Sequence, residues 1–220
     1  MNLGNIPTNQ IIAEIFVLFF GIGLHEYAHC KFADMAGDPT PRYYGRVTLN
    51  LFKHFEPTGT IMMVITSLAG FGIGWGRPAP INPSKMHHPR LDTFVAVAAG
   101  PVSNILQAII YGALLRVLYN PLFAPDDPLR FQIFLILVFG VAINLGLATF
   151  NLIPFGPLDG HWLVGELLPD KPRHYWYKFN RTVGFAGLFM VVILLQVLHI
   201  PLTAGPVSYG FKLLTGHDLP

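Results

Sequence analysis

The feature that most constrains this chain is a long apolar stretch interrupted by two histidines and a glutamate at fixed spacing. Residues 11–36 read as one helix, almost wholly apolar until it reaches Gly-Leu-His25-Glu26-Tyr-Ala-His29-Cys30. His25 and His29 are four residues apart, which places them one turn apart on the same helix face. Two imidazoles presented in this way can fill two of the four tetrahedral positions around a zinc ion. Glu26 lies about 100° further round the helix. It is better placed to act on a water at the metal than to bind the metal itself. This is the H-E-x-x-H pattern, in which the glutamate is a general base for hydrolysis. Three ionisable groups inside such a segment are costly in lipid and mark a functional site.

Composition then sets the class. Hydrophobic residues make up 52% of the chain and charged residues only 12%, about half the charged share of a soluble domain. An all-α polytopic integral membrane protein is expected, with about four to six membrane segments, and residues 1–220 form a single domain. The formal charge of +2 makes no case for nucleic acid, and no such partner is expected. Cys30 is the one cysteine, so an internal disulfide and a thiolate zinc cluster are both excluded. The N-terminus lacks a basic n-region and its apolar stretch leads straight into the motif, so a cleaved signal peptide is not expected.

Along the chain, Glu14 reads as an interfacial carboxylate near the entry of the first helix, and Gly37 suits the left-handed position that ends it. Residues 38–57 are polar and turn-rich, with a short strand expected at 47–51 (Val-Thr-Leu-Asn-Leu) and a surface histidine at His54. The apolar run 58–75 is short and broken by glycines. It reads either as a tilted helix or as a re-entrant segment. Prolines force 76–83 into an extended path, and the adjacent His87 and His88 cannot share a helix face. A second long apolar helix covers 91–118, where Ala96, Gly100 and Asn104 form a stripe that admits a close neighbour. After a loop at 119–129 comes a third, 131–152, carrying Asn144 and Asn151 two turns apart. Residues 169–181 read as a basic, aromatic loop at the membrane surface, 183–198 as a further span and 201–214 as a short tail.

A zinc site needs a third protein ligand. Between Asn151 and His161 two prolines and two glycines break the helix, leaving Asp159 on irregular backbone beside the membrane core. Irregular backbone is tolerated at that depth where it lines a site. Asp159 is the leading third ligand, ahead of His161 and Glu166.

Together these motifs resemble the site-2 protease family of intramembrane zinc metalloproteases, in its compact prokaryotic branch without accessory domains. His25-Glu-Tyr-Ala-His29 is similar to the family's H-E-x-x-H. Asn151-x-x-Pro154 followed by Leu158-Asp-Gly160 is similar to its N-x-x-P…L-D-G, and Gly100 to Asn104 to its G-x-x-x-N helix. His161 departs from many relatives, which carry a glycine there. The resemblance implies one zinc per chain held by His25, His29 and Asp159, with Glu26 as catalytic acid/base. It also implies cleavage of peptide bonds in or near a substrate's transmembrane helix, in single-span membrane proteins or signal-peptide remnants. Asn104 and Asn151 are candidates for stabilising the oxyanion, or for hydrogen-bonding helices together. The strand at 47–51 is expected to pair with an extended substrate. A zinc transporter and an inactive protease-like scaffold are the alternatives. Intact ligands with a glutamate directly after the first histidine favour the enzyme.

Charge placement gives an orientation. If 61–75 is re-entrant, Lys31, Arg42, Arg46, Lys53, Arg77, Lys85 and Arg90 share one side with Lys171, Arg173, Lys178 and Arg181, leaving Arg116, Arg130 and Lys212 opposite. The positive-inside rule makes the basic side cytoplasmic and brings the active site toward it, in what is expected to be a prokaryotic cell membrane.

Overall fold

The computed structural model describes residues 7–68, 75–122, 124, 126–197 and 203–219. Its helices are α1 (Thr8–Met35), α2 (Thr40–Tyr43), α3 (Pro57–Leu68), α4 (Pro89–Leu122), α5 (Pro128–Asn151), α6 (Asp159–Leu167), α7 (Asp170–Val197) and α8 (Ala204–Thr215). The protein is an all-α membrane protein. Among the described residues, three helices are long and apolar enough to cross a bilayer: α1, α5 and residues Pro89–Asn120 of α4. The further span expected at 183–198 falls on the second half of α7, whose first half is charged, and residue 198 lies outside the described residues.

Local chemistry sets the helix ends. Gly37, at φ 101°, takes the left-handed turn after α1. Asp127 caps α5 by accepting from the N–H groups of Leu129 and Arg130, both at 3.1 Å, and Pro128 occupies the first turn where no donor is needed. Within the segment 169–181, residues 170–181 are helical rather than the expected loop. Pro172 sits in the first turn of α7, where proline is tolerated, and Asp170 complements the helix N-terminus.

The three spans pack on one another, and α8 packs on α4 and α5, burying Phe211 among Leu115, Phe134, Leu137, Val138 and Val141. Among the described residues there is no strand. Residues 47–49 bend, and 51–54 form a 3₁₀ turn, in place of the expected strand. The cause is local: Thr48 Oγ1 accepts from Asn50 N–H at 3.1 Å, and the His54 ring bonds Thr48 O at 2.9 Å, folding the stretch back on itself. His54 is fully buried by this fold, not on the surface.

Extended pairing appears one step later. Phe55 and Gly76 form an isolated antiparallel bridge, and Arg77 N–H donates to His54 O at 2.7 Å. The buried Arg46 guanidinium reinforces the junction through Arg77 O at 2.5 Å. The two ends of the 57–75 segment therefore meet. α3 is 12 residues, about 18 Å, well short of the roughly 30 Å hydrocarbon core. This favours the re-entrant reading; residues 69–74 lie outside the described residues.

Asp38, fully buried after α1, accepts from Thr40 N–H at 3.0 Å and Asn82 N–H at 2.6 Å. That carboxylate ties the proline-rich stretch 76–83 against the end of α1.

Candidate metal centre

α1 delivers His25 and His29 to the centre of the bundle, where both are buried and their ring planes are perpendicular. α4 passes behind them. A methyl at Gly100 would overlap His29 Cε1 and Nε2 and stand 2.7 Å from His25 Cε1, so α4 approaches this closely only because residue 100 has no side chain. From α4, Asn104 Oδ1 meets His25 Nδ1 at 2.7 Å and Ala96 O meets His29 Nδ1 at 2.9 Å. Both partners accept, so each ring carries its proton on Nδ1 and each neutral ring presents an Nε2 lone pair.

Those lone pairs converge. The two Nε2 atoms are 3.0 Å apart, and Asp159 brings Oδ2 to 3.2 Å from His25 Nε2 and Oδ1 to 3.3 Å from His29 Nε2. Asp159 is the first residue of α6, set there by the broken backbone after α5.

Three electron-pair donors facing one another need a cation between them. His25, His29 and Asp159 form the group among the described residues that could hold a metal ion. Tetrahedral bonds of about 2.0–2.1 Å separate ligand atoms by about 3.3 Å, and the spacings here, 3.0 Å between the imidazoles and 3.2–3.3 Å from each to one carboxylate oxygen, are of the size a zinc ion needs. Asp159 Oδ2 is buried without a hydrogen-bond partner, as is Glu26 Oε2.

Glu26 lines the same cavity, of about 390 Å³, with His25, His29, Asp159 and Asn151. Apolar walls come from Ile22, Val97, Leu147 and Trp162, and the proline-rich stretch contributes Gly76, Pro78 and Ala79. Gly76 packs directly on Glu26, with its Cβ position 2.9 Å from Glu26 Cγ.

The other candidates separate cleanly. Asn151 gives one amide hydrogen to Leu147 O at 3.0 Å and lines the cavity. Asn104 is fully buried, with its nitrogen donating to Gly21 O at 3.1 Å and Asn144 Oδ1 at 2.9 Å. Both of its amide hydrogens are thus directed to other helices, the helix-bonding alternative of the two expected for it, while its oxygen faces His25. Glu166 is taken up by Arg173 at 2.6 Å and the Tyr177 hydroxyl at 2.7 Å. His161 bonds Leu158 O at 2.6 Å and lies outside the metal group. Glu14 lies nearly three turns before His25 on α1.

Two groups were missed by sequence reasoning. The Ala96 carbonyl is a backbone acceptor with no signature in residue type. Asn144 was visible only as a polar residue on an apolar helix.

No model of a known protein family matches the chain, and no solved structure matches it. Two curated relatives do. The Bacillus subtilis (strain 168) protein named "Putative zinc metalloprotease YwhC" is 38% identical over 87% of this chain and 84% of its own length. The Mycolicibacterium smegmatis (strain ATCC 700084 / mc(2)155) protein named "Putative zinc metalloprotease Rip2" is 27% identical over 78% of this chain and 62% of its own length. The chain belongs to the compact bacterial, site-2-protease-like family of zinc metalloproteases.

Proposed function

We propose that this protein is an intramembrane endopeptidase that binds one zinc per chain and cuts peptide bonds in or near the transmembrane segment of its substrates. The observation that carries this is the convergence of three lone-pair donors and Glu26 on one cavity among membrane-spanning helices. Zinc at such a site acidifies a water to a pKa near 7 and polarises the scissile carbonyl.

The chain's own residues supply the rest. His25, His29 and Asp159 would hold the ion, with both imidazoles kept in one tautomer from behind. Glu26 accepts the water's proton on its unpartnered Oε2 and returns it to the leaving amine. The Asn151 amide, at the cavity wall, donates to the developing oxyanion. Ile22, Val97 and Leu147 keep bulk water away, which strengthens each of these interactions.

A helix about 10–12 Å across, with its carbonyls hydrogen-bonded internally, offers no bond for attack. The substrate must be locally extended. The proline-rich stretch 76–83 lines the cavity through Gly76, Pro78, Ala79 and Ile81, and an extended substrate would lie against it. Single-span membrane proteins and signal-peptide remnants are the substrates this reading supports. The meeting of both ends of 57–75, and the Arg90 side chain bonding Glu166 O at 2.7 Å, support the basic loops sharing one side, taken as cytoplasmic.

Comparing membrane proteomes from cells carrying wild-type or Glu26→Gln protein tests the function. Single-span proteins accumulating uncut with the variant are expected; identical proteomes under conditions where the protein is made would contradict it.

A further inference from the structure

We propose that Asn144 on α5 is a positioning residue for the metal site, anchoring a one-way hydrogen-bond relay that fixes the His25 ring through Asn104. This rests on the zinc site proposed above.

The relay starts at a backbone carbonyl, which can only accept. Gly140 O receives a bond of 2.9 Å from Asn144, so the atom facing it is the amide nitrogen. Asn144 Oδ1 must then face the other way, where it accepts from Asn104 Nδ2 at 2.9 Å. A second carbonyl, Gly21 O at 3.1 Å, fixes the same nitrogen of Asn104 independently. Asn104 Oδ1 is thereby turned to His25 Nδ1 and accepts its N–H at 2.7 Å. His25 Nε2 is left as a bare lone pair at the metal position. Each step has a single allowed direction, because reversing an amide would set two donors or two acceptors face to face.

Both asparagines have no exposed surface. A buried amide carries a heavy desolvation cost unless its bonds are made, so this network is either complete or destabilising. The relay crosses three helices, from α5 through α4 to α1, and therefore links the packing of the bundle to one ligand. His29 has no such chain, since its Nδ1 meets the Ala96 carbonyl directly. The two histidines are thus held by different means, and only His25 depends on α5.

Residues that orient metal ligands from behind typically change metal affinity by about 10–100-fold when removed. Asn104→Leu should weaken zinc binding by about that factor. Asn144→Leu, one bond further out, should weaken it by about 3–10-fold. A purely structural Asn144 would give a similar loss, so the deciding readout is their coupling. Zinc dissociation constants are measured by chelator competition on purified wild type, both single variants and the double variant. Circular dichroism and zinc-free thermal melts confirm folding, and Asn144→Ala replaces leucine if that variant does not fold. The relay predicts that the double variant binds zinc like Asn104→Leu alone, within about twofold. Additive losses, or an unchanged constant in Asn144→Leu, would overturn the relay while leaving the zinc site intact. A wild-type protein that binds no zinc would instead overturn the site itself, and the relay with it.

Discussion

Gly100→Ala adds one methyl group at the tightest point of the site. The new carbon overlaps the His29 ring and stands 2.7 Å from His25 Cε1. Restoring an ordinary contact of 3.4 Å requires the His25 ring to retreat by about 0.7 Å, and the His29 ring by more. Neither ring is free to do so while bound at Nδ1 to Asn104 and Ala96. Metal ligand distances tolerate deviations of only about 0.2 Å. Swinging either ring aside breaks its Nδ1 bond, so the overlap is felt in zinc binding and in folding together. Overpacking of this kind costs about 1–3 kcal/mol, which is about 5–150-fold in the zinc dissociation constant. Metal analysis and chelator competition on the purified variant measure it, alongside the thermal midpoint of the metal-free protein. Unchanged zinc affinity in Gly100→Ala would refute the packing of α4 against the two histidines.

The remaining predictions concern ligands, pH and topology. His25→Ala, His29→Ala and Asp159→Ala should each lose the bound zinc on metal analysis, while His54→Ala, His87→Ala, His88→Ala and His161→Ala retain it; loss in His161→Ala with retention in Asp159→Ala would replace the third ligand. Burial holds the His54 imidazole below its ordinary value, partly offset by its bond to Thr48 O. The unfolded chain therefore takes up that proton first as pH falls, so the stability is present above about pH 6.5 and is lost below it. Thermal midpoints between pH 7.5 and 5.5 should fall less steeply in His54→Phe than in wild type, and equal slopes would count against the burial of that ring. With Cys30 replaced, a cysteine at Asp126 should react with an impermeant thiol reagent on intact cells and one at Ser84 should not; the reverse pattern would invert the orientation.

The parts of the fold legible in the sequence are those fixed by local periodicity. The three spans and the left-handed Gly37 follow from residue type alone, and so does the helical presentation of His25 and His29. Asp159 was legible because two prolines and two glycines leave a carboxylate on broken backbone beside an apolar helix. The stripe Ala96-Gly100-Asn104 announced a close helix neighbour, although not that the neighbour would be the metal-binding face of α1. What could not be read depends on contacts between distant segments. The stretch 47–51 has strand-like residues, but the His54 ring and Thr48 bend it, and the extended pairing moves to Phe55 and Gly76. Residue type alone left Asn104 open between stabilising the oxyanion and hydrogen-bonding helices together. Its donors are in fact consumed by Gly21 and Asn144, which no spacing rule reveals. Residues 169–181 have the composition of a surface loop, yet a proline in the first turn and an acid at the start suit a helix.

The most direct measurement reconstitutes purified protein in lipid vesicles with a tagged single-span substrate and follows cleavage while the bound zinc is quantified. Wild type with one zinc per chain should cut within or beside the spanning segment, and removing zinc with a chelator should stop the reaction until zinc is restored. Glu26→Gln should keep its zinc and cut slower by roughly 10²–10⁴-fold, since proton transfer alone is lost. Cleavage by the zinc-loaded Glu26→Gln protein at the wild-type rate would contradict the account.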